Sequence, residues 1–379
     1  SLTGLTDGNY TATVQSVAKS GLLGGTATHN FTVAIPDIEK PEGSAVYNGG
    51  YVAPSGVRYV QKIEDLSFTV NATDNKGVAW ATYRAWNVAQ SGVEACGNWN
   101  TGAPTAYIFA APLQTSISYT VPGSSVKTCD SSMKWETGSR YQFIHAVYDA
   151  AGNESEKFNS TNQLVEIDSA QPVIQIISPL AGSTKNGTVP IEVKVTETGS
   201  GLKYVNALFT DGPTPEFGQT ALTLKPDTTD TYVGQIDTTG KDGKFSLGIN
   251  VSDNVGNTRS AKAQNITIDN TPPAVPYDLS FKMSNGGIRS SGGWANLPKG
   301  DVTWNHSNSS DVKSYVYYSW NSIDGSKYHE NNKWKRPNII SKNLNGVEFN
   351  QGEGKYFFCV AAVDAIGNES ACSETFEIG

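Results

Sequence analysis

The sequence predicts an all-β fold, a tandem series of antiparallel β-sandwiches in an extended array. Three observations carry that expectation. One turn is written three times, as YDAAGNES at 148–155, SDNVGNTR at 252–259 and VDAIGNES at 363–370. Each copy joins two stretches whose apolar and polar residues alternate, the period of a half-buried strand. Its Asp residues, 149, 253 and 364, recur at intervals that suit a small sandwich of roughly 100 residues and are too long for a solenoid repeat. Gly, Pro, Ser, Thr and Asn are plentiful while Met is nearly absent, a balance that favours short strands and turns over helices. Finally, IPDIEKP (35–41), DSAQP (168–172) and DNTPPAVP (269–276) fall between the repeats. Proline fixes φ and donates no hydrogen bond to a sheet, so each reads as a short, stiff joint.

Those joints divide the chain at 1–35, 36–168, 169–269 and 270–379. In the first segment, DGNYTATVQSV (7–17) and TATHNFTVAI (26–35) alternate and pair as a hairpin, the last two strands of an incomplete sandwich. Two readings fit: truncation within a domain, the plainer one, or strands supplied by another copy. Without either, the hairpin exposes an unpaired edge. In 36–168, DLSFTVNATDNKGV (65–78) reads as a strand and a turn, and WATYRAWNV (80–88) as the next strand. A Gly-, Pro- and Ser-rich insertion at 89–135 holds Cys96, Trp99 and Cys129, before RYQFIHAVYDAAGNES and NQLVEID. Segment 169–269 alternates most plainly, in PVIQIIS, PIEVKVTE, KYVNALFTD, TYVGQID, FSLGINVSDNVGN and AQNITID, with ALTLK as a seventh strand. Seven strands at this spacing are the signal of an immunoglobulin-like sandwich. Segment 270–379 carries VTWNHS, SYVYYSW, YFFCVAAVDAIGNES and ETFEIG, and places Trp304 and the strand of Tyr356 between two sheets.

Charge and cysteine usage narrow the function. A net charge of −8 and an isoelectric point near 5.1 argue against nucleic acid, which needs a basic face. KWKRP (333–337), the nearest basic cluster, reads as a solvated loop. No apolar run is long enough to span a membrane, and no signal peptide is visible, as expected of a mature or internal piece. Cys359 and Cys372 flank the third repeated turn and can face each other on the strands joined there. Cys96 and Cys129 flank the insertion, where a crosslink restrains a long loop. No Cys/His spacing suggests zinc, and paired cysteines imply an oxidising compartment. Asn-x-Ser/Thr sequons are dense, which suits a glycosylated surface protein and equally suits exposed strands and turns.

Segments 36–168 and 169–269 resemble the Ig-like modules found in tandem on bacterial and archaeal surface proteins. The likeness rests on VTETGSGL at 195–202, the Asp-x-x-Gly-Asn turns and the Asp-x-x-x-Pro joints. Segment 270–379 resembles a fibronectin type III module, through Trp304, YFFCVAAVD and the proline-rich entry. Such motifs specify a fold and say little about function. Segment 36–168 departs from the pattern at its Cys-bounded insertion.

No catalytic constellation is visible. His29, His145, His306 and His329 are scattered, and no HExxH, GxSxG or phosphate loop occurs, so the chain is read as non-catalytic. The candidate site is calcium at the joints. In an Ig-like sandwich the B–C and F–G loops lie where the preceding domain enters. That places Asp37 near Asp74, Asp149 and Asn153, Asp168 near Glu197, Asp253 and Asn257, and Asp269 near Asp311, Asp364 and Asn368. Carboxylate and carbonyl oxygens from three segments form the cage that Ca²⁺ takes, and the resemblance to calcium-clamped surface modules implies a stiffened string. The same turns have a second reading without metal: Asp caps the turn by accepting backbone N–H groups, while Gly and Asn supply positive φ. A further candidate is aromatic. Alternation puts Tyr315 and Tyr317 on one face of a strand and Tyr318 and Trp320 on the other. One face is core, and the other is free to form a platform for sugar rings or a partner, drawn from Tyr315, Tyr317 and Trp320 with the nearby Trp334. Packing against a neighbouring domain or subunit is the plainer account.

These readings converge on a structural segment of an extracellular cell-surface protein, of surface-layer, fibre or adhesin-stalk type. Its partners would be other copies of itself or other surface proteins and glycans. The alternative is an accessory, glycan-binding region of a secreted polysaccharide-degrading enzyme.

Overall fold

Alternation becomes strand almost throughout. The computed structural model describes residues 3–88, 94–96, 106–108, 114–121, 135–158, 164–294, 299–306, 311–321, 334–348 and 354–379. They form β-strands in six sheets and one short 3-10 turn at Ile63–Asp65, which confirms the all-β, tandem-sandwich expectation. No helix among them is long and apolar enough to cross a membrane. By contact the chain divides into two compact units. One comprises residues 1–172 with 197–203 and 252–258, and the other comprises the remainder.

The strands Gly8–Val17 and Leu23–Val33 pair as an antiparallel two-stranded sheet, the hairpin the alternation calls for. Its two faces differ. One carries Tyr10 stacked on Phe31, with ring centroids 5.8 Å apart. The other carries cross-strand side-chain bonds, Thr11 to Asn30 and Thr32 to Asn9, each 2.7 Å.

In segment 36–168 the expected strand–turn–strand is a single strand, Ser67–Asn87. Its first half pairs with Glu42–Asn48 and Gln114–Val121, and its second half with Arg140–Asp149. The register breaks between Thr73 and Val78, where Gly77 adopts φ +121°, and the strand runs on through the break, so both halves belong to one nine-stranded sheet. Phe68, Tyr83, Phe143 and Val147 fill the core between the halves. Truncating a buried Phe such as Phe68 costs about 3–5 kcal/mol. His145 also faces this core, fully buried between Phe68 and Phe158, with Nε2 3.1 Å from the Tyr47 hydroxyl.

Segment 169–269 forms two sheets. One orders the strands Val173–Ser178, Thr188–Thr196, Thr231–Asp237 and Thr223–Leu224. The other orders Thr184–Lys185, Thr258–Ile268, Gly243–Asp253, Leu202–Thr210 and Phe217–Ala221. Two strands, Thr184–Lys185 and Phe217–Ala221, join the seven expected, of which ALTLK is the short Thr223–Leu224; Thr184–Lys185 runs parallel to Thr258–Ile268. The same arrangement recurs in 36–168, where Arg58–Val60 runs parallel to Val165–Ile167.

Two four-stranded sheets make up 270–379. Trp304, Tyr315, Tyr317 and Phe358 lie in the core between them, and Tyr356 packs against it. Cys359 and Cys372 form a disulfide with Cα atoms 5.7 Å apart, as their positions around the turn predict. The backbone of Cys96 lies in the strand Glu94–Cys96, paired with Ala85 and Trp86. Cys129 lies outside the described residues, as does the side chain of Trp334.

Candidate functional site

Each repeated turn is built by one carboxylate. Asp253 Oδ1 accepts the backbone N–H groups of Val255 (3.0 Å), Gly256 (2.7 Å) and Asn257 (2.8 Å). Asp364 Oδ1 accepts those of Ile366 (3.0 Å), Gly367 (2.7 Å) and Asn368 (2.8 Å). Asp149 Oδ1 accepts Asn153 N–H at 2.8 Å. The left-handed position belongs to Gly152, Gly256 and Gly367, at φ +91°, +97° and +101°. The Asn residues do not adopt positive φ, contrary to the turn-chemistry expectation, because their side chains have another task.

That task is to hold the joint. The second oxygen of each Asp accepts the side-chain amide of the turn Asn, at 2.6 Å for Asp149–Asn153, 2.7 Å for Asp253–Asn257 and 2.8 Å for Asp364–Asn368. The same Nδ2 donates onward to the carbonyl of the Asp that opens the linker: Asp37 (3.1 Å), Asp168 (2.8 Å) and Asp269 (2.8 Å). An ionised acceptor makes the first bond strong and fixes the amide's orientation, which aims its other proton at the linker. At two joints the Asn oxygen is used as well. Gln61 Nε2 donates to Asn257 Oδ1 at 2.7 Å, and Asn186 Nδ2 donates to Asn368 Oδ1 at 2.8 Å. Gln61 follows the short strand Arg58–Val60 and Asn186 follows Thr184–Lys185, so these amides occupy equivalent places. Sequence reasoning missed both. The periodic signal marks strands, and nothing local marks a polar residue one step beyond a short one.

Carboxylates gather at two of the three joints. Oxygens of Asp37, Asp74 and Asp149 lie within 4.8 Å of one another, as do those of Asp168, Glu197 and Asp253. The second cluster is the deeper. Asp168 is only 1% exposed; its Oδ2 accepts Ser200 N–H at 2.8 Å, while its Oδ1 is buried with no hydrogen-bond partner. Glu197 Oε2 accepts Gly201 N–H at 2.8 Å, and its Oε1 is also buried and unpartnered. Gly199 permits this approach, since a Cβ there would stand 2.6 Å from the Asp168 carboxyl carbon. Burial, followed by the negative charges of Asp168 and Asp253, pushes the Glu197 carboxyl above its ordinary range. Buried anionic oxygens without donors fit a hard divalent cation, and the set contains no nitrogen or sulfur to suit a softer metal.

In the first cluster Asp74 Oδ2 accepts Lys76 and Gly77 N–H (2.8 and 2.7 Å), and Asp74 Oδ1 is unpartnered. The third expected set assembles only in part among the described residues: Asn368 joins Asp364 to the Asp269 carbonyl, but no carboxylate cluster forms. Asp364 and Asn368 stand as in the other turns, but Asp269 turns its carboxylate to its own linker, where Oδ1 accepts Thr271 N–H at 3.2 Å. Asp311 is exposed at the entry to its strand. The aromatic-surface expectation is also corrected. Tyr315 and Tyr317 are each 5% exposed and belong to the core face, while Trp320 is half-buried and stacks on Phe357 with centroids 5.8 Å apart. Strand alternation allowed either face, and the apolar partners Phe358 and Val360 select this one.

No family model matches the chain, and no curated protein matches it. Similar solved structures are fibronectin- and Ig-like modules and adhesins. They include a Ca²⁺-stabilized adhesin of an Antarctic bacterium, 14% identical with a TM-score of 0.38, covering 98% of this chain and 81% of that one. The FN1–FN3 domains of chicken CNTN1 are 15% identical with a TM-score of 0.31, covering 82% of this chain and 93% of theirs. The fibronectin(III)-like modules of Clostridium thermocellum CbhA are 14% identical with a TM-score of 0.28, covering 54% and 93%. The sandwich fold rests on the sheets themselves.

Proposed function

We propose that this chain is a non-catalytic structural segment of an extracellular cell-surface protein, a stalk, fibre or surface-layer element, whose joints are held by the repeated turn. One observation carries the reading. The same Asn side chain bridges the turn Asp to the linker carbonyl at all three joints. A chain whose task is to hold sandwiches in register needs such a contact at every joint, while an active site needs only one. Calcium at the clusters of Asp37, Asp74 and Asp149 and of Asp168, Glu197 and Asp253 adds a second restraint, supported by their unpartnered buried oxygens. The alternative, a glycan-binding accessory region, loses the tyrosine platform that favoured it.

Surface labelling of intact producing cells tests localisation. Labelling of this segment on whole cells is expected, and protection until lysis would contradict it. Calorimetric melting with and without chelator tests the metal, and an unchanged transition would sink the calcium part.

A further inference from the structure

We infer that the hairpin of Gly8–Val17 and Leu23–Val33 is a glycan carrier: Asn9 and Asn30 each take an N-linked sugar, while the sequons at the joints, Asn153, Asn186 and Asn368, take none. The inference rests on the extracellular reading above and says where such a chain is modified.

The sequence offers many Asn-x-Ser/Thr sites, and folding sorts them. Transfer needs the Asn nitrogen and the hydroxyl two residues on, so both must be reachable from solvent. In a strand, residues i and i+2 share a face, which lets one exposed face present the pair. Among the described residues this happens twice: Asn9 with Thr11 and Asn30 with Thr32 are all exposed. Elsewhere one member is withdrawn. Ser252 of the Asn250 site is buried, as are Ser155 and Ser370 of two joint sites, while Asn71 and the Thr267 of the Asn265 site are half-buried.

The two exposed sites lie opposite each other. Asn9 pairs with Thr32, Tyr10 with Phe31 and Thr11 with Asn30, so each sequon meets the other in reverse order. Thr32 Oγ1 donates to Asn9 Oδ1 and Thr11 Oγ1 to Asn30 Oδ1, each at 2.7 Å. These bonds occupy the amide oxygens. Each Nδ2, the atom that takes the sugar, has no acceptor among the described residues. Tyr10 and Phe31 stack on the opposite face, so anything that packs on the rings leaves the amides in water.

The joint asparagines are arranged the other way. Asn153 and Asn368 each commit Nδ2 to the turn Asp and to the linker carbonyl, and Asn186 Nδ2 donates to Asn368. A sugar on any of them removes an amide proton that the joint uses and adds bulk where the side chain is half-buried. The donor class is a lipid-linked sugar pyrophosphate. Nδ2 attacks the anomeric carbon, the C1–O bond to the pyrophosphate breaks with its electron pair, and one amide proton passes to a base of the transferase.

The test is peptide mapping by mass spectrometry of the protein taken from the cells that make it. Trypsin cuts at Lys19 and so separates Asn9 from Asn30. Sugar on both, with Asn153, Asn186 and Asn368 bare, is expected. Thr11→Val should lose the sugar at Asn9 alone and Thr32→Val that at Asn30 alone, whereas Thr11→Ser should keep both. Sugar at a joint asparagine, at only one of the hairpin sites, or kept at Asn9 in Thr11→Val would overturn the assignment. Bare Asn9 and Asn30 in protein that surface labelling reaches would overturn it and leave the extracellular reading intact. Bare asparagines in protein shielded until lysis would overturn both.

Discussion

At the joint that opens with Asp168, the turn Asn meets a glutamine amide and a pocket of carboxylates. At the joint that opens with Asp269, an identical turn meets an asparagine amide, and the linker carboxylate has turned away to cap Thr271. The amide bridge is common to both, and the acidic cage is an addition at one. The neighbouring linker residue accounts for the difference. Asn270 anchors the second joint by donating to the carbonyls of Thr238 (2.7 Å) and Lys241 (2.8 Å) and accepting Gly187 N–H at 2.6 Å. Neutral amides satisfy one linker, whereas the other buries anions that call for a counter-charge. One turn therefore supports a joint closed by amides and a joint lined by carboxylates, and on the proposed reading only the second responds to metal.

Acid produces the largest expected effect and must be separated from the joints before they are compared. Burial lowers the His145 pKa to about 3, against an ordinary value of 6.5. The unfolded chain takes up a proton below about pH 6.5 that the folded chain refuses. Segment 36–168 should thus lose stability as pH falls from 6.5 toward 3, by up to roughly 5 kcal/mol. His145→Phe should flatten that slope in urea titrations at several pH values, and an unchanged slope would refute the assignment.

Next in size, Asp253→Ala and Asp364→Ala each strand three backbone donors and an amide. Each should cost about 2–4 kcal/mol in its own segment, read as a shifted unfolding midpoint. The bonds lost are alike, but Asp253→Ala also relieves repulsion on Glu197, so in chelator Asp364→Ala should cost no less than Asp253→Ala, and a much larger loss at Asp253 would break the claim that the turns share one design.

Glu197→Gln sharpens the contrast. It removes a charge repelled by Asp168 and Asp253, so in chelator it should raise the melting temperature by a few degrees, on the order of 1 kcal/mol. It should also abolish the gain from calcium at that joint. A variant that melts lower in chelator would show that the carboxylates are not in conflict. The smallest effects belong to Gln61→Ala and Asn186→Ala, about 1 kcal/mol each for one amide hydrogen bond. Only the first should alter the response to calcium.

How far the sequence showed this in advance follows from distance along the chain. The Asp-to-Asn bonds span four residues, so the turn and its period were legible, as was the disulfide that flanks it. The two cages were legible because sandwich topology brings three loops to one end. The partners Gln61 and Asn186 were not, since they meet Asn257 and Asn368 across 196 and 182 residues, and no periodicity marks them. Asp269 was misassigned because its linker composition matches the others, while the direction of one side chain depends on Thr271. Tyr315 and Tyr317 could not be placed, since a strand with aromatic residues on both faces does not reveal which face is the core.

The most direct test of the amide bridge is hydrogen exchange on the full chain, with Asn257→Ala against the natural sequence at fixed calcium. Removing that side chain should speed exchange in peptides covering 164–172, where Asp168 N–H bonds to Val60 O and Ile167 N–H to Ser139 O. The buried strand Phe245–Val251 should stay protected. Unchanged exchange at 164–172, or equal acceleration in both regions, would contradict the account.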